Sequence, residues 1–320
     1  MEFHNPEEGC TFVVALWPMN KKTSIPPLYY PLWLLLKGLS LLPLSVLYLL
    51  ADFLYFVVYY VVGYRKEVVL SNLQRAFPEK SLEEIHQIAK GFYRQFADVI
   101  VETLKLLSMD AAEMERRIVF TNQDLLDDFV KQGKTVITMG SHAANWEWVL
   151  SAGAVQFGFP AYGVYKPLNN AFFETFMLRT RSKLGAKLIK MKDTLRDFAA
   201  NRNMPRVVAM LSDQTPLKSE ITFWTTFLHQ DTPFYEGAEK LANKFGYPVL
   251  FLDTHRTSRG HYTLTFELIS NGKPDASTEA SITETFARKL EAAIRRHPAD
   301  YLWTHKRWKH TRPEAAELES

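Results

Sequence analysis

The sequence predicts an α/β fold in which a largely parallel central sheet is flanked by helices and preceded by an N-terminal helical segment that attaches to a membrane. Three observations carry this prediction. Short apolar runs alternate with helical patterns from Thr135 onward, the stretch from Leu28 to Val62 is almost wholly apolar, and the character changes sharply after Val62.

Taken in order, residues 1–26 show no sustained period and are expected to be a poorly ordered extension, with Met19-Asn-Lys-Lys reading as a natural start. Residues 27–63 form the membrane segment. Leu44 to Val62 is about long enough to cross a hydrocarbon core of ~30 Å, but Asp52 near its middle would cost roughly 2.5 to 3.5 kcal/mol there. A bent, interfacial pair of helices hinged at Pro43 is the alternative. Lys21 and Lys22 on one side balance Arg65 and Lys66 on the other, so the flanking charges fix no orientation.

A catalytic domain is expected over 64–313 and a short tail over 314–320. Ser81-Leu-Glu-Glu84 is a capping box that opens an amphipathic helix running to about Leu107. Thr135 to Met139, Ala161 to Tyr165, Val207 to Leu211 and Val249 to Asp253 read as buried strands, and His261 to Ile269 as a strand of alternating character. Between them lie helices at Asn145 to Phe157, Phe172 to Leu184, Asp193 to Asn201 and Glu236 to Phe245, with a last one from about Ser277 to His297.

At 320 residues with 47% hydrophobic content, the chain can bury a sizeable core. A net charge of +3 falls far short of the basic stripes that neutralise a nucleic acid, so no nucleic-acid partner is expected. The single cysteine, Cys10, excludes a disulfide framework, a thiolate metal site and a cysteine nucleophile in the core. No pair of histidines falls at helical ligand spacing with a nearby acid, which disfavours a metal.

The stretch that carries chemistry is Met139-Gly-Ser-His-Ala-Ala-Asn-Trp-Glu-Trp148, which follows a strand and leads into a helix. Ligands of open α/β sheets bind outside the carboxyl ends of strands, so His142 occupies a catalytic place. Residues at the separation of His142 and Glu147 diverge by about 140° on a regular helix, so the two meet only if His142 lies in the turn before it. Gly140 makes that turn feasible. Glu147 could then accept a hydrogen bond from one imidazole nitrogen and leave the other to take a proton from a hydroxyl, the work of a general base. A histidine packed on Trp146 and Trp148, or capping the helix, is the plainer alternative.

Gly140-Ser-His-Ala-Ala-Asn-Trp-Glu147 resembles the signature of the bacterial lipid A biosynthesis late acyltransferases, within the wider lysophospholipid acyltransferase-like superfamily. There, the His and the acid separated from it by four residues form the catalytic pair. Further segments resemble the family in order: Asn72 to Pro78, Tyr165 to Asn170, Arg179 to Ile189 on an arginine-bearing helix, Leu211 to Gln214, and Tyr301 to Lys309. The resemblance spans about Leu28 to Pro313. It implies a glycerolipid acyltransferase-like fold, catalysis by His142 and Glu147, substrate binding by Arg181, Asp213, Lys166, Asn145 and Arg179, and no cofactor or metal.

The residue types suit those roles. Arg181 offers a planar fork and Lys166 a point charge for an anionic head group, unless Lys166 belongs to a solvated face. Asp213 would orient Arg181 or a substrate hydroxyl, or cap a turn. Trp303, His305, Arg307 and Trp308 combine aromatic bodies with cationic tips, a composition that suits an interface, with Trp303 alternatively in the core. The chain departs from the family at Lys166, where an arginine is usual, and at Leu228-His229, where Phe-Gly is common. His229 has no evident physical role in the sequence.

The resemblance further implies an acyl carrier protein as donor, a lipid A precursor as acceptor, and a place on the cytoplasmic side of the bacterial inner membrane. Backbone N–H groups at the helix start, or Arg181, would stabilise the oxyanion. Another lipid acceptor leaves the chemistry unchanged. A thioesterase, or a catalytically silent membrane-bound lipid-binding protein, is the reading of another class, and no Gly-x-Ser-x-Gly elbow supports an α/β-hydrolase.

Overall fold

The computed structural model describes residues 25–273 and 281–313. The expectations for residues 1–24, Cys10, the helix start at Ser277 and the tail 314–320 lie outside the described residues.

Two apolar helices come first, α1 (Tyr30–Ser40) and α2 (Leu44–Phe56), separated at Pro43 and followed by a π-helical turn, Val57–Val61. The stretch Leu44–Val61 is long and apolar enough to cross a membrane. Its buried residues Leu44, Leu47, Ala51, Tyr55 and Tyr59 recur every three or four positions and so make one stripe. That stripe packs along α4 (Leu82–Lys105), while Leu49, Phe53, Phe56 and Tyr60 face outward. Asp52 is not a bare charge in this helix. Arg259 reaches it at 2.7 Å and also pairs with the buried Asp98 of α4 at 2.6 Å.

α3 (Lys66–Ala76) leads into α4, whose N-terminus carries the expected capping box: Ser81 Oγ accepts from Glu84 N–H and the Glu84 carboxylate accepts from Ser81 N–H. After α5 (Ala111–Arg117) the sheet begins. Its strands are β1 (Ile118–Phe120), β2 (Thr135–Gly140), β3 (Ala161–Tyr165), β4 (Lys187–Lys190), β5 (Arg206–Leu211), β8 (Val249–Ser258) and β9 (His261–Ser270), in the order β1-β9-β8-β2-β5-β3-β4. All neighbours are parallel except β8 and β9, which form an antiparallel hairpin. A separate hairpin, β6 (Phe223–Phe227) and β7 (Gln230–Phe234), lies beside the sheet.

The helices α6 (Asp124–Lys131), α7 (Trp146–Gln156), α8 (Ala171–Ser182), α9 (Thr194–Ala200), α10 (Gly237–Phe245) and α11 (Ile282–Arg296) connect or cover the strands. β2 is buried at every position, as a central parallel strand covered on both faces must be. Its register pairs Gly140 with Leu211, so the loops that leave β2 and β5 emerge side by side. A Cβ at Gly140 would stand 3.3 Å from Leu211 Cδ2, so this close approach suits glycine. The strand crossing thus brings residues 141–145 and 212–214 together at the carboxyl edge of the sheet, where ligands of such folds bind.

Candidate active site

The turn between β2 and α7 holds His142 outside the helix, the geometry that the His142-to-Glu147 spacing demands. Three features fix the turn. Ala144 adopts a left-handed conformation (φ 51°), its N–H donates to Asp300 O at 2.8 Å and the Leu302 N–H donates to His142 O at 3.1 Å. Asn145 then caps α7, its Oδ1 accepting from Trp148 N–H at 3.1 Å.

His142 is held by Asp213. One carboxylate oxygen accepts from the His142 backbone N–H at 3.0 Å and the other lies 2.7 Å from ring Nδ1. A carboxylate only accepts, so Nδ1 carries the proton and the Nε2 lone pair is left free when the ring is neutral. The expected hydrogen bond between His142 and Glu147 is replaced by this one. Asp213 is buried behind the histidine rather than in the cleft, so it orients neither Arg181 nor a substrate group.

Glu147 instead closes a bidentate pair with Arg181: Arg181 Nε donates to Oε2 at 2.8 Å and Nη2 to Oε1 at 2.7 Å. Trp146 Nε1 adds a donor to Oε1 at 3.1 Å. Arg181 Nη1 has no partner among the described residues. Gln214 Nε2 stands 3.3 Å from His142 Nε2. His142, Glu147, Arg181, Gln214 and the exposed Lys166 line one cleft of about 470 Å³.

The electrostatics follow from these contacts. Burial opposes a charged imidazole at position 142, but the charge and hydrogen bonds of Asp213, with the Glu147 charge behind them, outweigh it and hold His142 above its ordinary value. Burial likewise opposes ionised Asp213, and His142 with Arg307 overcomes it, so the carboxyl lies below the usual range.

Two residues expected to bind substrate do something else. Asn145 is fully buried, and its Nδ2 donates to Glu102 Oε2 at 2.6 Å, so it is a structural cap. The Arg179 guanidinium lies 5.0 Å over the Trp33 ring of α1, away from the cleft, because positions 179 and 181 point to different sides of α8.

The terminal aromatic-basic segment turns partly inward. Trp303 and Arg307 are buried, and the segment backs Asp213 from the interior. Arg307 lies 4.3 Å over the Phe234 ring. His305 Nε2 accepts from Thr215 N–H at 3.1 Å, and burial pushes its imidazole down to about 4, so it stays neutral. Asn72 Nδ2 donates to both Trp303 O and His305 O, which ties the segment to α3.

The sequence pattern of one known family, the bacterial lipid A biosynthesis acyltransferases, matches residues 19–310. The chain belongs to that family. It is therefore an acyltransferase, and the cleft at the carboxyl edge of its sheet is lined by His142 and Glu147. No curated protein matches the chain. Within this acyltransferase, sequence reasoning missed Gln214 and Trp146 as partners of His142 and Glu147. Both lay inside the quoted motifs, and only the fold shows where they point.

Proposed function

We propose that this acyltransferase moves a fatty acyl chain from acyl carrier protein to a hydroxyl of a lipid A precursor, with His142 as general base. The observation that carries the chemistry is the Asp213–His142 contact at 2.7 Å, which fixes the ring tautomer and directs the Nε2 lone pair away from Asp213. Gln214 occupies the place of the acceptor hydroxyl, its amide nitrogen lying 3.3 Å from Nε2.

In the reaction the acceptor O–H gives its proton to Nε2, and the oxygen attacks the thioester carbonyl carbon. The tetrahedral oxyanion is supported by the positive end of α7, which begins four residues after His142. The C–S bond then breaks, and the departing thiolate takes the proton back from the imidazolium. Asp213 and Glu147 both stabilise that imidazolium by charge, Asp213 through a hydrogen bond as well. Glu147 has a second task, since it fixes the Arg181 fork so that the free Nη1, with Lys166, is available to an anionic head group.

The donor, the acceptor and a place on the cytoplasmic side of the bacterial inner membrane follow from the family's role. The outward apolar face of α1 and α2 supports membrane attachment. Purified enzyme supplied with acyl carrier protein thioesters and a lipid A precursor tests the reading. Transfer is expected with wild type and is nearly abolished in His142→Ala, and near wild-type transfer by that variant overturns the mechanism. Transfer only to a different lipid overturns the acceptor, and rapid fatty acid release without acceptor indicates a thioesterase.

A further inference from the structure

Lysines from three separate helices converge near the corner between α1 and α2. A small apolar cluster of Leu104, Leu107 and Phe176, with Trp33 and Leu36 packed against it, ties α1, α4 and α8 together there. Beside it, the C-termini of α1 and α4 leave backbone carbonyls without intrahelical partners. Lys105 Nζ donates to Leu42 O at 3.1 Å and to Ser40 O at 3.3 Å, and Lys37 Nζ donates to Leu107 O at 2.6 Å. Lys183, at the end of α8, donates to Met109 O, only two residues further along the same turn. Burial, then the charges of Lys37 and Lys105, hold the Lys183 ammonium below its ordinary value, as expected where the three cations share one neighbourhood.

Capping of helix ends accounts for part of this arrangement, because a helix C-terminus favours a cation. It does not account for three. Two helix termini supply roughly one negative charge between them, and among the described residues none of these ammonium groups is ion-paired to a carboxylate. Asp110 acts on Lys183 from further away, and its Oδ1 is engaged by the Glu113 N–H at 2.7 Å. An ammonium has three N–H donors, of which the carbonyls here use one or two, so donors and positive charge are left over for an anion. Beside them the corner residues Leu41 and Leu42 are 65% and 37% exposed, on the apolar face that α1 and α2 offer to lipid. Cations next to exposed leucines reproduce the order of a membrane surface, with phosphate outside and acyl chain within. We propose that Lys37, Lys105 and Lys183 bind the phosphate of an anionic phospholipid, with Leu41 and Leu42 in the adjoining acyl layer. None of the three lysines lines the catalytic cleft, so the bound lipid is a component of the surrounding membrane and the site stands apart from the acyl-transfer reading.

Native mass spectrometry of the full chain released from detergent tests this, with phosphatidylglycerol and phosphatidylcholine offered at equal concentration. Wild type is expected to retain phosphatidylglycerol preferentially. Each basic side chain beside an anionic lipid should contribute about fivefold, so the protein carrying both Lys37→Gln and Lys183→Gln should lose roughly tenfold or more of that preference. Lys183→Gln alone, at an exposed position that the fold tolerates, should lose about fivefold. The paired Lys37→Arg and Lys183→Arg substitutions should keep the preference, which separates loss of charge from disturbed folding. Lys131→Gln and Lys187→Gln, at exposed lysines elsewhere, should leave it unchanged. Equal retention of the two lipids by wild type, or a preference that survives Lys37→Gln with Lys183→Gln, overturns the proposal. So does a preference lost in Arg181→Lys alone, which would put the lipid in the catalytic cleft. Displacement of phosphatidylglycerol by millimolar inorganic phosphate would reveal a site for a soluble anion and overturn the lipid assignment.

Discussion

Asp213 grips His142 at two points, accepting from its backbone N–H at 3.0 Å and from ring Nδ1 at 2.7 Å, so one carboxylate fixes both the turn and the tautomer. Such a contact holds the imidazole above its ordinary value. A base must be unprotonated to act, so activity rises as pH passes upward through the His142 value.

In Asp213→Asn the charge that raises His142 is gone while burial still opposes the imidazolium, so His142 titrates lower. The acidic limb of the kcat/KM profile is expected to move to lower pH, and the plateau rate to fall because the tautomer is no longer fixed. An acidic limb that stays in place while the plateau falls would show that Asp213 acts only by shaping the turn.

The Arg181–Glu147 pair predicts a different split. Arg181→Lys keeps a cation near Glu147 but loses the two-pronged fork and the free Nη1. The acceptor KM is expected to rise severalfold with a smaller change in kcat. Arg181→Ala leaves the nearly buried Glu147 unpaired and should cost roughly 2–3 kcal/mol of stability, the range for broken buried pairs reduced because Arg181 is a quarter exposed. Steady-state kinetics and thermal unfolding in detergent separate the two effects.

The contacts of α2 predict how it meets the membrane. It packs along α4, whose length carries Lys90, Arg94, Asp98, Glu102 and Lys105. Were α2 to cross the bilayer beside α4, these charges would enter hydrocarbon at ~2.5–3.5 kcal/mol each for the central ones. We expect α1 and α2 to lie in the interface with Leu49, Phe53 and Phe56 in lipid. Single cysteines at positions 42 and 62, in a Cys10→Ser background, should react with an impermeant maleimide from the same side of vesicles. Reaction from opposite sides would show a span.

Why some of this was legible in the sequence and some was not has physical causes. β2, β3 and β5 are short apolar runs, β2 buried throughout and β3 and β5 in part, so composition alone reveals them. β4 hid because Lys187 and Lys190 bracket it at the edge of the sheet, where lysine guards an open strand, and it read as the tail of the arginine-bearing helix. β1 has only three residues. The turn placement of His142 followed from spacing, but its partner did not, because Asp213 reaches it only through the pairing of Gly140 with Leu211. Asn145 and Arg179 belonged to matching motifs yet face the interior and α1, which no linear pattern records.

Leu228-His229 joins β6 to β7 as a two-residue turn with φ of 48° and 64°, the conformation that hairpins fill with Asn-Gly. Leu228 is kept by burial, whereas His229 is exposed and its left-handed backbone is a cost. His229→Gly is expected to stabilise the protein by roughly 0.5–1 kcal/mol without altering transfer. Unchanged or lowered stability by denaturant titration would show that the His229 contact to Arg295, at 3.2 Å, outweighs the backbone strain.

Glu102 predicts a pH-dependent defect. It is fully buried and accepts from Tyr48 Oη at 2.7 Å, Tyr262 Oη at 2.6 Å and Asn145 Nδ2 at 2.6 Å, so it joins α2, β9 and the cap of the catalytic helix. Burial raises its carboxyl. Asn145→Ala removes a helix cap, costing about 1 kcal/mol, and one donor to a buried carboxylate, costing about 1–3 kcal/mol. The melting temperature should fall, and transfer with it, since the cap anchors the turn that carries His142. Asn145→Asp preserves the cap but sets a second carboxylate against Glu102. At acidic pH one proton can bridge the pair, and as pH rises both ionise and repel. Relative to wild type, this variant is therefore expected to lose stability steeply with increasing pH, whereas the deficit of Asn145→Ala should grow less, by the one hydrogen bond that the ionised Glu102 loses. Parallel deficits in the two variants across the pH range would show that Glu102 does not ionise beside the helix cap.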